Sequence, residues 1–144
     1  DEFASRRLYL EILFPDYDYN YTIVEVIAEW NDALENDIMQ LMRSVIDEMV
    51  PKGISKFIFV TENVLNFHSS DLEYYEEWYE DIKDEGGWIV FLNTPEQTRY
   101  DIERSHIDRY VRLFDLPQWR THQPQHVFQI VDNKMLRLGA ADEG

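Results

Sequence analysis

The sequence contains no cysteine and only five glycines among its 144 residues. The lack of cysteine excludes disulfide bonds, thiolate catalysis and cysteine-ligated zinc or iron–sulfur sites, and it permits a reducing compartment. We therefore expect a cytoplasmic protein. The glycines stand at positions 53, 86, 87, 139 and 144, and none opens a helix after a predicted strand. A glycine-rich loop that would hold a phosphate is therefore missing, and we expect no nucleotide or other cofactor.

Long apolar runs are missing as well. No stretch of about 18 apolar residues is available to span a bilayer, and the N-terminus lacks the pattern of a secretory signal. The chain begins at Asp1, so processing could have removed a targeting segment that the sequence does not show. We expect no membrane association from these features.

Basic side chains are scarce in the first two thirds of the chain. The 13 lysines and arginines and the 29 aspartates and glutamates give a net charge of −16. Residues 1–94 carry 21 acidic and 6 basic side chains, whereas residues 95–144 carry 8 and 7. Phosphate backbones and anionic membranes are bound by clustered lysine and arginine, so direct binding to either is disfavoured. A basic protein partner is favoured instead.

The length suits one domain, which we place at residues 1–139, followed by a frayed tail at 140–144. Strand patterns alternate with longer helical patterns along the chain, as is typical of α/β proteins. The predicted fold is an α/β three-layer sandwich with a mainly parallel central sheet and antiparallel hairpins at its edges. The expected order of elements is β-β-α-β-α-β-α-β-β.

The central strand is predicted at residues 55–62, because four consecutive apolar residues from Phe57 to Val60 indicate a strand covered on both faces. Further strands are predicted at residues 8–14 and 88–92. A helix with one apolar face is expected to end near Pro51. Helix-start patterns at Ser70 and Thr94 predict two more helices, over residues 71–85 and from residue 94 to about 116.

Residues 22–30 allow two interpretations. The β-branched segment from Thr22 to Ile27 favours a strand that pairs with the first one as a hairpin, with a helix capped by Asn31 or Asp32 after it. A capping box of Thr22 and Glu25 would instead start one long helix, since apolar residues continue at spacings of three and four. Such a helix would far exceed the usual length and would begin with a β-branched run, so we favour the hairpin.

The C-terminal region is predicted to form a closing hairpin. Residues 127–131 and 134–138 would be its strands, joined by a turn at Asp132 and Asn133. Because the unpaired edge of a sheet can accept another strand, either hairpin would allow homodimerisation.

Polar side chains follow the predicted strands where a ligand would bind in a parallel sheet. They form a candidate ligand rim, although the sequence does not show whether it encloses a pocket. The rim consists of Asp16, Asp18, Glu62, Asn63 and Asn93.

A small metal-assisted hydrolase is one alternative function for this rim. His122 and His126 are four residues apart, a spacing that suits metal ligation on a helix, although Pro124 between them argues against a helix there. Glu62 or Asp132 would have to complete the metal site. Histidines in a loop more often make structural hydrogen bonds, so we assign no metal ligand and no catalytic residue.

The stretch from Asp71 to Glu85 is the strongest functional signal. It contains eight carboxylates and three tyrosines but a single lysine, Lys83. We predict an amphipathic helix whose acidic, aromatic face binds a basic protein partner, which would make the chain a non-enzymatic accessory or regulatory domain. A mimic of nucleic-acid phosphates is a further alternative. The predicted partner-binding residues are Glu73, Tyr74, Glu77, Glu80, Asp81 and Asp84.

Overall fold

The computed structural model describes residues 8–28, 43–64 and 72–143, without the side chains of residues 8–15, 27–28 and 140–143. Strand β1 spans Leu8–Asp16 and β2 spans Tyr21–Ala28. Helix α1 is described over residues 43–49, and β3 spans Lys56–Val60. Helix α2 spans Leu72–Ile82, β4 Trp88–Leu92 and α3 Glu96–Arg104. Strand β5 spans Arg112–Phe114 and helix α4 spans Pro124–Glu143.

The five strands form one sheet in the order β1-β2-β3-β4-β5. Strand β1 pairs antiparallel with β2, whereas β2 to β5 are all parallel. The predicted α/β class, the mainly parallel sheet and the N-terminal hairpin are therefore confirmed. Residues 22–28 belong to a strand, so the alternative of one long helix from Thr22 is wrong; the caps proposed at Asn31 and Asp32 lie outside the described residues.

Two apolar layers enclose the sheet, because its central strands have apolar side chains on both faces. Phe57 and Phe59 of β3 pack with residues of α1, α2 and α3 on one face. Ile58 and Val60 face the other way and pack with Val127 and Val131 of α4. The predicted three-layer arrangement is thus present, with α4 on the face opposite the other helices.

The predicted closing hairpin is wrong, because residues 124–143 form helix α4. Pro124 occupies the first turn, where its missing N–H costs nothing, so it starts this helix instead of preventing it. The buried residues Val127, Phe128 and Val131, with Met135 packed against them, have helical spacing. The helix continues to Glu143, so most of the tail predicted to fray at residues 140–144 is helical.

The third predicted helix is shorter than expected. Helix α3 ends at Arg104, and His106 then adopts the left-handed conformation with φ of 68°. A short 3-10 helix at Ile107–Arg109 leads into β5, which the sequence analysis missed. The helix-start pattern at Ser70 lies outside the described residues. No helix in the described ranges is long and apolar enough to cross a membrane.

Candidate functional site

The residues of the predicted ligand rim do not all lie together. Strand β1 is antiparallel to its neighbour, and Asp16 at its end pairs with Tyr21 at the start of β2. Tyr21 in turn is the register partner of Lys56, the first residue of β3, so Asp16 lies where the parallel strands begin. The Asp16 carboxylate accepts hydrogen bonds from the backbone N–H groups of Asp18 and Tyr19, at 2.9 and 3.0 Å, and so shapes the turn. The prediction that Asp16 and Asp18 join the other rim residues is therefore wrong.

Asn93, which follows β4, holds the backbone of the segment after β5. Its side-chain N–H donates to the Leu116 carbonyl at 2.9 Å, and its side-chain oxygen accepts from the Leu116 N–H at 2.6 Å. Asn93 adopts the left-handed conformation, with φ of 59°, which asparagine tolerates better than most residues. Both polar ends of its side chain are thus used within the protein. Asn63, by contrast, is exposed.

Glu62 belongs to an ion-pair network that the sequence analysis did not predict. Arg120 donates to the Glu25 carboxylate and, at 3.1 Å, to Glu62. The Trp119 indole N–H donates to the other Glu62 oxygen at 3.2 Å, and the Arg120 guanidinium lies over the Trp119 ring, 4.5 Å from its centroid. The hydrogen bond to Glu25 is the main cause that raises the pKa of Arg120 above its usual value.

This network lies at the carboxyl end of the sheet and covers a buried carboxylate. The side chain of Glu25 is only 4% exposed, whereas that of Arg120 is 58% exposed, so the arginine covers the buried carboxylate from the solvent side. Thr61 and Thr94 form a second buried contact there, with their hydroxyl oxygens 2.9 Å apart. The rim residues Glu62 and Asn93 therefore fasten the segment that leads into α4. A charged residue within the apolar strand β2 was the one sequence signal that could have identified Glu25.

The two predicted histidines do lie together, with ring centroids 4.7 Å apart. His126 is in the first turn of α4 and His122 precedes it. The carboxylates proposed to complete a metal site are used elsewhere, since Glu62 binds Trp119 and Arg120, and Asp132 pairs with Lys56 at 3.0 Å. No group of three metal-ligating side chains occurs in the described part of the chain.

The predicted acidic face exists as an exposed surface. Tyr75, Trp78 and Ile82 of α2 are buried against the sheet, so the opposite side of the helix faces solvent. A 3-10 helix at Lys83–Glu85 continues it and ends at Gly86, whose φ is 74°. All six predicted partner-binding residues are exposed. We call this surface the acidic face; it comprises Glu73, Tyr74, Glu77, Glu80, Asp81 and Asp84.

Most of its carboxylates have no cationic partner in the described part of the chain. Within residues 8–28, 43–64 and 72–143, Glu80 alone among the acidic face forms a salt bridge, to Lys83 at 2.7 Å. That hydrogen bond is the main cause that raises the pKa of Lys83. Four exposed carboxylates thus have no salt bridge to another described residue, and they belong to Glu73, Glu77, Asp81 and Asp84.

A shallow groove borders the acidic face where α2 meets α1. The Arg43 guanidinium lies over the Tyr74 ring, 4.6 Å from its centroid, and also approaches Asp47 at 3.9 Å. Ile46, Glu77 and Asp81 complete the walls of this groove, whose volume is only about 40 Å³. It is too small for a substrate but offers an aromatic ring beside unpaired carboxylates.

Comparison with known proteins gives a structural likeness without a sequence family. No protein-family profile and no curated protein matches the chain. Among solved structures, the anti-sigma factor antagonist SpoIIAA in its unphosphorylated form matches with a TM-score of 0.53 and 13% identity, over 79% of this chain and 91% of that chain. A Thermotoga maritima protein, classed by inference as an anti-sigma factor antagonist, matches with a TM-score of 0.51 and 20% identity, over 79% and 91%. At these identities the likeness establishes the fold alone: an α/β fold with a four-stranded parallel sheet that resembles the SpoIIAA-like STAS domains.

Proposed function

We propose that this protein is a non-enzymatic regulatory domain that binds a basic protein partner through the acidic face. The observation that carries the proposal is the row of exposed carboxylates on α2 and on the 3-10 helix that follows it, where Glu73, Glu77, Asp81 and Asp84 lack a salt bridge among the described residues. Glu73, Glu77 and Asp81 are spaced four residues apart, so they lie along one side of the helix. A basic partner would bind there with a fast, salt-sensitive association rate.

The exposed aromatic residue supports a protein partner in particular. Tyr74 is 40% exposed and stands beside Glu73 and Glu77. Tyrosine is enriched in the cores of protein interfaces, because it buries a large area and keeps a polar hydroxyl. Arg43 already covers one side of the ring, which holds Tyr74 ready for contact.

The fold supports a regulatory role. The structural neighbours are anti-sigma factor antagonists, whose names describe action on another regulatory protein. At the carboxyl end of the sheet, where an α/β enzyme would bind its substrate, Trp119 donates to Glu62 and Arg120 donates to Glu25. An anti-sigma factor from the same organism is therefore the first partner to test.

The test is a binding titration of a triple variant, with Glu73, Glu77 and Glu80 all changed to lysine. We expect association to be at least tenfold weaker than for the unchanged protein at low salt. The unchanged protein should itself lose affinity as the salt concentration rises, because exposed charges are screened beyond about 10 Å at 0.1 M salt.

The matched control reverses three exposed carboxylates away from the acidic face, Glu96, Glu103 and Asp108. It changes the net charge by the same amount, so a general electrostatic effect would weaken binding equally in both variants. Equal weakening, or full binding by the variant with the reversed acidic face, would contradict the proposal.

A further inference from the structure

A cleft separates the second half of α4 from the start of β4. It consists of two adjoining cavities with volumes of about 190 and 410 Å³. Both cavities are lined by Gly87, Trp88, Met135 and Gly139. Their combined size falls within the range of roughly 300–1,000 Å³ that is usual for small-molecule sites. The cleft lies apart from the acidic face, at the amino end of the parallel strands.

The walls of the cleft combine apolar surface with positive charge. Ile89 and Leu138 add to the apolar lining of the smaller cavity, and Leu136 beside the larger one is 64% exposed. The smaller cavity is also lined by Arg109 and Arg112, and no carboxylate is among its described lining residues. Two guanidinium groups thus line this cavity of a protein whose charge is −16, and the hydroxyl of Tyr110 on the same wall donates to Glu76 at 2.8 Å.

The larger cavity contains one acid and one base, and they neutralise each other. Lys56 pairs with Asp132 at 3.0 Å, and its ammonium also lies 5.9 Å from the centroid of the Trp88 ring. The larger cavity is thus apolar with an internal ion pair, while two arginines line the smaller one. The cleft has an apolar end and a cationic end.

Gly139 is one of the four residues that line both cavities. It lies inside α4, where glycine stabilises a helix less than alanine does. No neighbouring atom requires glycine at this position, since a Cβ atom would meet nothing within 4 Å. A side chain here would instead project from a wall that the two cavities share, so the glycine preserves their volume at the expense of helix stability.

We infer that this cleft binds a small amphipathic anion, with a carboxylate or phosphate head at Arg109 and Arg112 and an apolar tail along Trp88, Met135 and Leu136. Guanidinium groups present a fork of N–H donors that matches either anionic head. The tail removes apolar surface of the cleft from water, which favours binding.

Isothermal titration calorimetry of the full chain tests this inference with three probes that have apolar chains of the same length and differ in the head group. Dodecanoate, dodecyl phosphate and dodecyltrimethylammonium are titrated below their micellar concentrations. We expect one or both anions to bind at least tenfold more tightly than the cation, and the stronger of the two identifies the preferred head group. Equal affinity for anion and cation, or no binding of either anion at millimolar concentration, would overturn the inference.

Two variants assign the binding to this cleft. Gly139→Leu should weaken binding of the anion at least tenfold while it leaves the melting temperature unchanged or higher, because the new side chain meets only open space. Replacing both Arg109 and Arg112 by glutamine should also weaken it about tenfold, consistent with the loss of charge-assisted hydrogen bonds. Arg104→Gln, at an exposed arginine outside the cleft, should leave it unchanged. Unchanged affinity in Gly139→Leu would show that the anion binds elsewhere.

Discussion

Glu25 and Arg120 show how one buried charge depends on a distant partner. The two residues are 95 positions apart in the chain, and the arginine contacts both Glu25 and Glu62. A buried carboxylate is tolerated only when it is paired or hydrogen-bonded, because removal from water strongly disfavours its charge. The pair therefore couples the stability of the sheet to the segment that precedes α4.

We predict that Arg120→Ala lowers the free energy of unfolding by about 1–2 kcal/mol. This is less than the roughly 3–5 kcal/mol found when a fully buried ion pair is broken, because the Arg120 side chain is 58% exposed and solvent screens it. In the double variant with Glu25→Gln, the loss should be smaller than the sum of the two single losses by about 1 kcal/mol. Urea denaturation of the four proteins measures this coupling, and strict additivity would contradict the network.

Tyr21 gives a prediction for alkaline pH. Burial, with a smaller contribution from Asp16, raises the pKa of Tyr21 from 10.0 to about 12. The folded protein thus favours the neutral phenol, which contributes stability that is complete below pH 10 and is lost as the pH rises to about 12. A shift of this size corresponds to about 2–3 kcal/mol.

The free energy of unfolding of the Tyr21→Phe variant should therefore fall less between pH 9 and about 12 than that of the unchanged protein. Denaturant unfolding at several pH values measures the difference, and absorbance titration of tyrosinate gives the pKa directly. The phenylalanine ring can keep the stacking that Tyr21 makes on Phe128, whose centroid is 3.9 Å away. Parallel alkaline curves for the two proteins would argue against a raised pKa.

At the scale of elements, α2 carries a charge arrangement that is unfavourable for the stability of the helix. Its last turn contains no basic residue, although the helix dipole favours cations at that end. Acidic side chains four residues apart also repel one another. These unfavourable charge interactions are present in the native helix, and a surface that binds a basic partner would account for them.

Substitutions at the two ends of α2 should therefore have opposite effects on stability. We expect Asp81→Lys to raise the free energy of unfolding by about 0.5–1 kcal/mol. The new cation lies in the last turn of the helix and one turn after Glu77, on the same side. Glu73→Lys should lower it by about 0.5 kcal/mol, because it places a cation in the first turn. Thermal unfolding at low salt compares the two, and the same sign for both would contradict this account.

If the proposed function is correct, both substitutions should weaken binding to the basic partner, whatever they do to stability. Binding and stability would thus change in opposite directions for Asp81→Lys. A variant that is both more stable and fully competent for binding would leave the acidic last turn without a functional explanation.

At the scale of the whole molecule, self-repulsion follows from a net charge of −16. We predict that 0.5 M sodium chloride raises the free energy of unfolding by about 1 kcal/mol relative to 20 mM, or about 4 °C in melting temperature, because salt screens long-range repulsion. The rise should be smaller in the variant with lysine at positions 73, 77 and 80. A fall in stability with salt would mean that attractive ion pairs outweigh the repulsion.

Homodimerisation remains a prediction at this scale. Strands β1 and β5 are the two edges of the sheet in the described chain, and β5 has only three residues. The predicted C-terminal hairpin does not exist, so β1 is the longer edge that could accept another strand. Light scattering at several protein concentrations would decide the oligomeric state.

Local composition alone was sufficient to predict the central strands and the exposed acidic face. Four consecutive apolar residues at Phe57 to Val60 can be satisfied only by burial on both faces, and the carboxylates of α2 must remain in water unless they are paired. The strand at residues 21–28 also followed from its β-branched residues, although its periodicity fitted a helix. These features depend on neighbouring residues, so they could be predicted from the sequence.

The tertiary structure decided what depends on residues far apart in the chain. It placed Asp16 and Glu62 at opposite ends of the strands. The reason is that the antiparallel strand β1 ends where its parallel neighbours begin. It made residues 124–143 a helix, since Val127, Val131 and Met135 must all reach the same face of the sheet. It paired Glu25 with Arg120 and formed the cleft at Gly139 between α4 and β4. Such juxtapositions arise only when the layers pack, since no local pattern specifies which distant side chain will be the neighbour.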